Sequence, residues 1–195
     1  MPKGKCNDDQ LKKDIASLQN ENTRLENKIR ELEIERQNEQ VYHTLKDKML
    51  AEISEVIQQS EEQERPFKIF ELVKSSVELV AGILYVQCDV EKCYKPLKTY
   101  GLEEEYVIEN IVVGEGIHGQ VIVERKAVEL ADIPADYLVA SSGSGEAQPT
   151  YIYFLPVEYN GKGILLEVAS FKKLGLDSIW NEYLKSVYSS EAGQN

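Results

Sequence analysis

Tyr151-Ile-Tyr-Phe-Leu-Pro-Val-Glu158 and Gly163-Ile-Leu-Leu-Glu-Val-Ala-Ser170 are two runs rich in aromatic, β-branched and aliphatic residues, joined by Tyr159-Asn160-Gly161-Lys162. Asn-Gly between two such runs is a strong hairpin signal, because both residues accept the positive φ that a tight hairpin turn demands. The pair predicts antiparallel strands, and the flanking sequence is read from there.

Upstream, Ala127 to Leu130 reads as a further strand and Asp132 to Gly145 as a long loop rich in Pro, Ser and Gly. Ile83 to Cys88 and Tyr94 to Tyr100 read as two strands around the turn Asp89 to Lys92. Phe70, Val73, Val77 and Val80 recur at helical spacing within Phe67 to Val80, with Gly82 as the expected stop. Ile111 to Val113 is apolar and leads into a glycine cluster, after which Gln120 to Glu124 continues as a helix. Leu174 to Tyr188 reads as a closing helix with Ile179, Leu184 and Val187 inward. Helices covering one face of a mostly antiparallel sheet make an α+β domain over residues 66–195.

Residues 1–65 follow a different pattern. They hold one glycine, Gly4, and a dense mix of Glu, Lys, Arg, Gln and Asn. Leu11, Ile15, Leu18, Asn22, Leu25, Ile29 and Leu32 are spaced alternately four and three apart, which is a heptad seam. Leu falls at d, and Ile15, Asn22 and Ile29 at a, a combination that favours a parallel dimer; a paired Asn at a selects the two-stranded register. In a lone helix Asn22 would instead be a solvated polar residue. Lys28 at g can meet Glu33 at e of a partner, whereas Glu21 and Glu26 would repel. The seam then falters at Arg36, Glu39 and His43, and apolar residues resume on a shifted frame at Val41, Leu45, Met49, Ile53 and Val56. Such a phase shift resembles a stutter. The expectation is a coiled-coil helix that pairs two copies through residues 11–57, ended by Pro66.

The chain has 195 residues and a formal net charge of -12, of which -4 falls before Pro66 and -8 after it. An acidic surface repels phosphate backbones and anionic lipid, so neither nucleic acid nor a membrane surface is an expected partner. No run approaches the roughly 20 apolar residues of a spanning helix, and Met1 to Leu11 lacks the apolar core of a signal peptide. A cytosolic protein is expected. Three cysteines, Cys6, Cys88 and Cys93, do not make a disulfide framework. Cys88 and Cys93 flank a turn without Cys-x-x-Cys spacing, so they read as buried or incidental thiols, with a redox pair as the alternative.

Gly114-Glu-Gly-Ile-His-Gly119 formally matches G-x-G-x-x-G. It lacks the Lys-Ser/Thr ending of a triphosphate loop and the parallel βαβ context of a dinucleotide site. A tight turn into a helix accounts for it better. His118 within it is a ligand contact or a turn residue. Ser141, Ser142 and Ser144 lie in a polar loop without a strand–turn–helix elbow or an activating His/Asp pair, which argues against a hydrolase. Glu103, Glu104 and Glu105 read as a solvated acidic run.

Residues 111–171 resemble the GAF family of small-molecule sensor domains. The resemblance runs through Val113-Gly-Glu-Gly-Ile-His-Gly-Gln120, Val128-Glu-Leu-Ala-Asp-Ile-Pro-Ala-Asp-Tyr137, Ser141-Ser-Gly-Ser-Gly-Glu-Ala147, Phe154-Leu-Pro-Val157 and Leu166-Glu-Val-Ala-Ser-Phe171. With the upstream helix and strands from Phe67 to Gly101 it covers roughly two-thirds of the chain, and it looks closest to GAF domains of bacterial sensor kinases and related signalling proteins. It implies a central antiparallel sheet with helices on one face. On the other it implies a pocket roofed by the crossover and by the loop after Pro134, with Ile117, His118, Tyr137, Ser141, Ser142, Tyr151, Tyr153 and Phe154 as candidate lining residues. Ser144 departs from the apolar residue of near relatives, and the last hairpin before Glu167 is short. All three cysteines precede Tyr94, so none is a bilin-type cysteine of the middle loops, and they do not map onto the cysteines of the free-methionine-sulfoxide reductase branch. The implied function is a noncatalytic signalling module that senses a small molecule or partner protein and is dimerised by its helix. Its cofactor stays unnamed. The alternatives are an adaptor with a ligand-free fold and a cysteine-based redox enzyme.

Overall fold

The computed structural model describes residues 5–88, 92–103, 105–134, 137–143, 145–159 and 161–191, with side chains from 11 to 187. Among them, by contacts, the chain divides into a first unit ending at Lys46 and a second beginning at Asp47.

Helix α1 runs over Lys5–Gln59. In the first unit the seam residues Leu11, Ile15, Leu18, Leu25, Ile29 and Leu32 are each between 48 and 60 % exposed in the single chain. In the second unit Met49 and Ile53 are fully buried. The shift of hydrophobic frame therefore has a structural reason: beyond it, α1 residues pack within their own domain. The domain's contacts begin at Asp47, upstream of the expected start at Pro66.

The remaining elements are α2 (Arg65–Ser76), β1 (Ala81–Gln87), β2 (Cys93–Tyr100), β3 (Ile111–Val112), α3 (Gly116–Glu124), β4 (Val128–Leu130), β5 (Ala140–Ser142), β6 (Gly145–Ala147), β7 (Tyr151–Tyr159), β8 (Lys162–Ser170) and α4 (Leu176–Glu191). Six strands form one antiparallel sheet in the order β3-β2-β1-β8-β7-β4. The expected β7–β8 hairpin forms with Tyr159 opposite Lys162. Three features differ from the sequence expectation. Helix α2 stops at Ser76, and Gly82 lies inside β1, where a Cβ would come within 3.2 Å of the Phe70 ring. Glycine here admits the helix close to the sheet instead of ending it. The stretch expected to be irregular carries the small hairpin β5–β6. Cys88 and Cys93, expected as thiols, are joined as a disulfide across the β1–β2 turn.

Proline positions follow from hydrogen-bond supply. Pro96 sits at a bulge of β2 beyond the two-residue pairing with β3, and Pro156 lies past the last β7 residue paired with β4, Phe154. Neither missing N–H interrupts a ladder on that side.

Strand alternation divides the domain into two faces. Leu84, Tyr153, Leu155, Leu166 and Val168 point to the face covered by α2 and α4, where Ile69, Phe70, Val73, Ile179 and Trp180 are fully buried. The Trp180 indole donates to the Pro156 carbonyl at 2.7 Å, and the Asn181 amide makes two bonds to the Ala127 backbone. The opposite face carries Ala81, Ile83, Tyr85, Ile152, Phe154, Leu165 and Ala169 under α3 and the β2–β3 and β4–β5 connections, with Val121 and Leu138 packed among them. Glu167 falls on this second face, directly between Ile83 and Phe154 in register.

Candidate functional site

The glycine cluster builds the site. Gly114 and Gly116 take φ of +90° and +62°, conformations that an L side chain resists, and so turn the chain from β3 into α3. Gly119 meets the turn itself: a Cβ there would stand 2.4 Å from the Val112 carbonyl oxygen and 2.7 Å from the Gly114 nitrogen. The turn closes with Gly114 N–H donating to the Gly119 carbonyl at 3.1 Å and Gly119 N–H to that of Glu115 at 3.0 Å. This fixes the first turn of α3 over the sheet and aims His118 at Glu167.

His118 Nε2 lies 2.8 Å from Glu167 Oε2. A carboxylate accepts, so the proton of this bond sits on Nε2. The Tyr85 hydroxyl donates to the same oxygen at 3.3 Å, and the Tyr137 hydroxyl stands 3.2 Å from Nε2. Tyr106 supports Tyr137 from behind, its hydroxyl donating to the Tyr137 carbonyl at 2.6 Å. The imidazole is framed by Phe154 edge-on at 4.9 Å and stacks with Tyr137 at 6.4 Å between ring centres. The Glu167 side chain is 3 % exposed. A carboxylate that deeply buried is stable only when donors hold it, and two converge on one oxygen here, His118 Nε2–H and the Tyr85 hydroxyl. Burial first, and the Glu167 charge second, push the hydroxyls of Tyr85 and Tyr137 well above the usual tyrosine range. Tyr106 is raised for the same two reasons.

Above this cluster is a cavity of 420 Å³, within the size range of small-molecule sites. Glu167, Tyr85, Ile83 and Ile111 lie at its sheet side, His118 and Gly116 on α3, Tyr106 on the β2–β3 connection and Tyr137 on the β4–β5 connection. Glu109 and Glu115 stand at its exposed rim. Its lining combines the polar groups of Glu167, His118, Tyr85 and Tyr137 with the apolar side chains of Ile83, Ile111 and Val112.

The residues expected from the sequence separate. His118, Tyr137 and Phe154 come together at the carboxylate. Ile117 packs against the core beside them without lining the cavity. Ser141 and Ser142 line a separate groove with Gly101, Glu146 and Phe171, and Ser141 N–H donates to the Gly101 carbonyl at 2.8 Å. Tyr151 and Tyr153 point to the other face of the sheet, because β7 alternates and Phe154 already occupies the cavity side. The Tyr153 hydroxyl accepts from Leu174 N–H there, at 2.8 Å. Ser144 and Glu104 lie outside the described residues. Glu167, Tyr85 and Tyr106 were not among the expected residues. A single Glu in the otherwise apolar run Gly163 to Ala169 was the available signal for the first. Cys88 and Cys93 are not among the residues lining the cavity. Among the described residues no group of three His, Cys, Asp or Glu could hold a metal ion, and no helix is long and apolar enough to cross a membrane.

No protein-family model matches the sequence, and no curated protein matches it. Solved structures do match. The GAF domain of a phosphoenolpyruvate-protein phosphotransferase from Coxiella burnetii is similar with a TM-score of 0.50 at 17 % identity, over 77 % of this chain and 96 % of that one. The free methionine-R-sulfoxide reductase from Neisseria meningitidis, in complex with its substrate, gives 0.52 at 14 % identity, over 74 % and 84 %. The fRMsr of Staphylococcus aureus, also in complex with substrate, gives 0.50 at 14 % identity, over 76 % and 94 %. The chain has a GAF-like fold behind a long N-terminal helix, a fold shared by GAF domains and free methionine-R-sulfoxide reductases.

Proposed function

We propose that this chain is a noncatalytic signalling module whose GAF-like domain binds a small molecule over Glu167 and whose N-terminal helix pairs two copies. One observation carries the reading: a buried carboxylate, held by His118 and Tyr85 with Tyr137 against the imidazole, lies at the base of a cavity large enough for a ligand. For stability alone, an apolar residue at this position of β8 would cost less than a charge needing two donors. Perturbed tyrosines around such a group are a common mark of a binding site.

A ligand that takes the place of the Tyr137 hydroxyl beside His118 frees the strap formed by the β2–β3 and β4–β5 connections, which the Tyr106–Tyr137 bond holds together. Ligand affinity then differs between two arrangements of the strap, which is the requirement for a signal. The cysteines support the noncatalytic reading by their place, since both stand at the end of the β1–β2 hairpin, apart from the cavity lining. The pairing of two copies is supported by the six apolar seam residues left half-exposed in the single chain and by Asn22 at an a position.

Thermal denaturation of the full chain against cyclic nucleotides, amino acids and haem tests the ligand. A rise in melting temperature of several degrees with one of them, abolished by Glu167→Gln, is the expected result. No response to any of them would favour the adaptor, in which the helix is the working surface.

A further inference from the structure

The Cys88–Cys93 disulfide stands apart from the cavity, yet the backbone ties it to one cavity wall. Cys88 follows the last residue of β1, three positions after Tyr85, and Cys93 opens β2. Cys88 N–H donates to the Cys93 carbonyl at 2.9 Å, and the two Cα atoms are 5.6 Å apart. That is the separation of an ordinary hydrogen-bonded cross-strand pair, so two thiols fit the same backbone as the disulfide. Strand β3 consists of Ile111 and Val112, whose ladder partners are Tyr94 and Cys93. Val113 N–H adds a bond to the Lys92 carbonyl at 3.1 Å. Ile111 and Val112 line the cavity, and the turn that follows them positions His118. The wall therefore hangs on the residues that the disulfide staples. A crosslink between residues five apart in sequence removes little chain entropy, so its effect on the whole fold is small and its effect on this edge is large.

We propose that Cys88–Cys93 is a reversible thiol–disulfide site that sets the rigidity of the β3 wall. A dithiol reductant attacks Sγ of Cys88, the less buried of the two residues. The Sγ–Sγ bond breaks, and Cys93 leaves as a thiolate and takes a proton. The second thiol of the reductant then displaces Cys88, which also takes a proton. Two electrons and two protons pass to the pair, and the reductant ends as its own disulfide. In the reduced protein the hairpin end loses its covalent staple, and β3 frays from it. As regulation of ligand binding, this rests on the reading of the cavity as a ligand site. The coupling between staple and wall does not.

The test is hydrogen exchange by mass spectrometry on the full chain, oxidised and after dithiothreitol, with free thiols counted by alkylation. Reduction should expose two further thiols. Amides of residues 111–119 should exchange about five-fold faster while those of β7 and β8 stay unchanged. Cys88→Ser with Cys93→Ser should show the reduced pattern without reductant. Equal alkylation before and after dithiothreitol, unchanged exchange over 111–119, or acceleration spread evenly over the domain would each overturn the proposal. Because the readout needs no ligand, a failed ligand screen leaves this result standing, and unchanged exchange leaves the ligand reading standing.

Discussion

The Nε2 of His118 and the Oε2 of Glu167, 49 residues apart in sequence, meet at 2.8 Å and join the first turn of α3 to the middle of β8. The glycine turn and the sheet register have to place both groups correctly, and the cavity is organised around the bond that results.

Glu167→Ala leaves the His118 and Tyr85 donors facing a buried gap. It should cost about 3 kcal/mol of unfolding free energy, with Glu167→Gln costing less because an acceptor oxygen remains. Urea denaturation of these variants and of His118→Ala, assembled into a double-mutant cycle, should give a His118–Glu167 coupling of about 1–3 kcal/mol. A coupling near zero would mean that the bond does not form in solution.

Tyr85 and Tyr137 titrate above the usual tyrosine range in the native state, through burial and then the charge of Glu167. In the unfolded chain both ionise near pH 10. From about pH 10 upward the unfolded state has released protons that the native state retains, so stability falls as pH rises. The slope is at most about 1.4 kcal/mol per pH unit for each tyrosine. Urea midpoints measured from roughly pH 9 to 11 should show the decline, and Tyr85→Phe should make it shallower.

Gly119→Ala should destabilise by about 2–4 kcal/mol, since its Cβ would collide with the backbone at Val112 and Gly114 and neither can yield without moving the turn. Gly143→Ala is the control: nothing lies within 4 Å of the Cβ it would add, and thermal unfolding should stay within a degree or so of the parent. Near-equal melting temperatures for the two variants would contradict the turn geometry.

If the α1 seam pairs two copies, sedimentation velocity of the full chain at micromolar concentration should give a dimer. Leu18→Asp with Leu25→Asp should then give a monomer whose domain unfolds at the parent temperature. Asn22→Val should strengthen association while admitting other oligomers, because the a-position amide selects two strands at a cost in stability. A monomeric parent would remove the dimer from the account.

The β7–β8 hairpin was legible because Asn160-Gly161 and the flanking apolar runs are local signals, and the heptad seam was legible because its period is. The change of frame after Leu32 was visible too, but its meaning came from tertiary burial of Met49 and Ile53. Tyr151 and Tyr153 could have been separated from Phe154 by parity alone, since odd and even residues of one strand face opposite ways. Gly82 read as a helix stop because a glycine after an apolar helical run usually is one; close approach to Phe70 is a tertiary demand. The meeting of Tyr85, His118, Tyr137 and Glu167 depends on sheet order β1-β8-β7 and on the path of the β4–β5 connection, neither of which any local pattern encodes.

Whether a small molecule seats over Glu167 is decided by two-dimensional NMR of isotope-labelled full chain titrated with cyclic nucleotides and amino acids in turn. A binder should shift amides of residues 83–85, 111–118 and 165–167, and Glu167→Gln should abolish those shifts. Shifts confined to the separate groove at residues 140–147, or none across the panel, would contradict binding there.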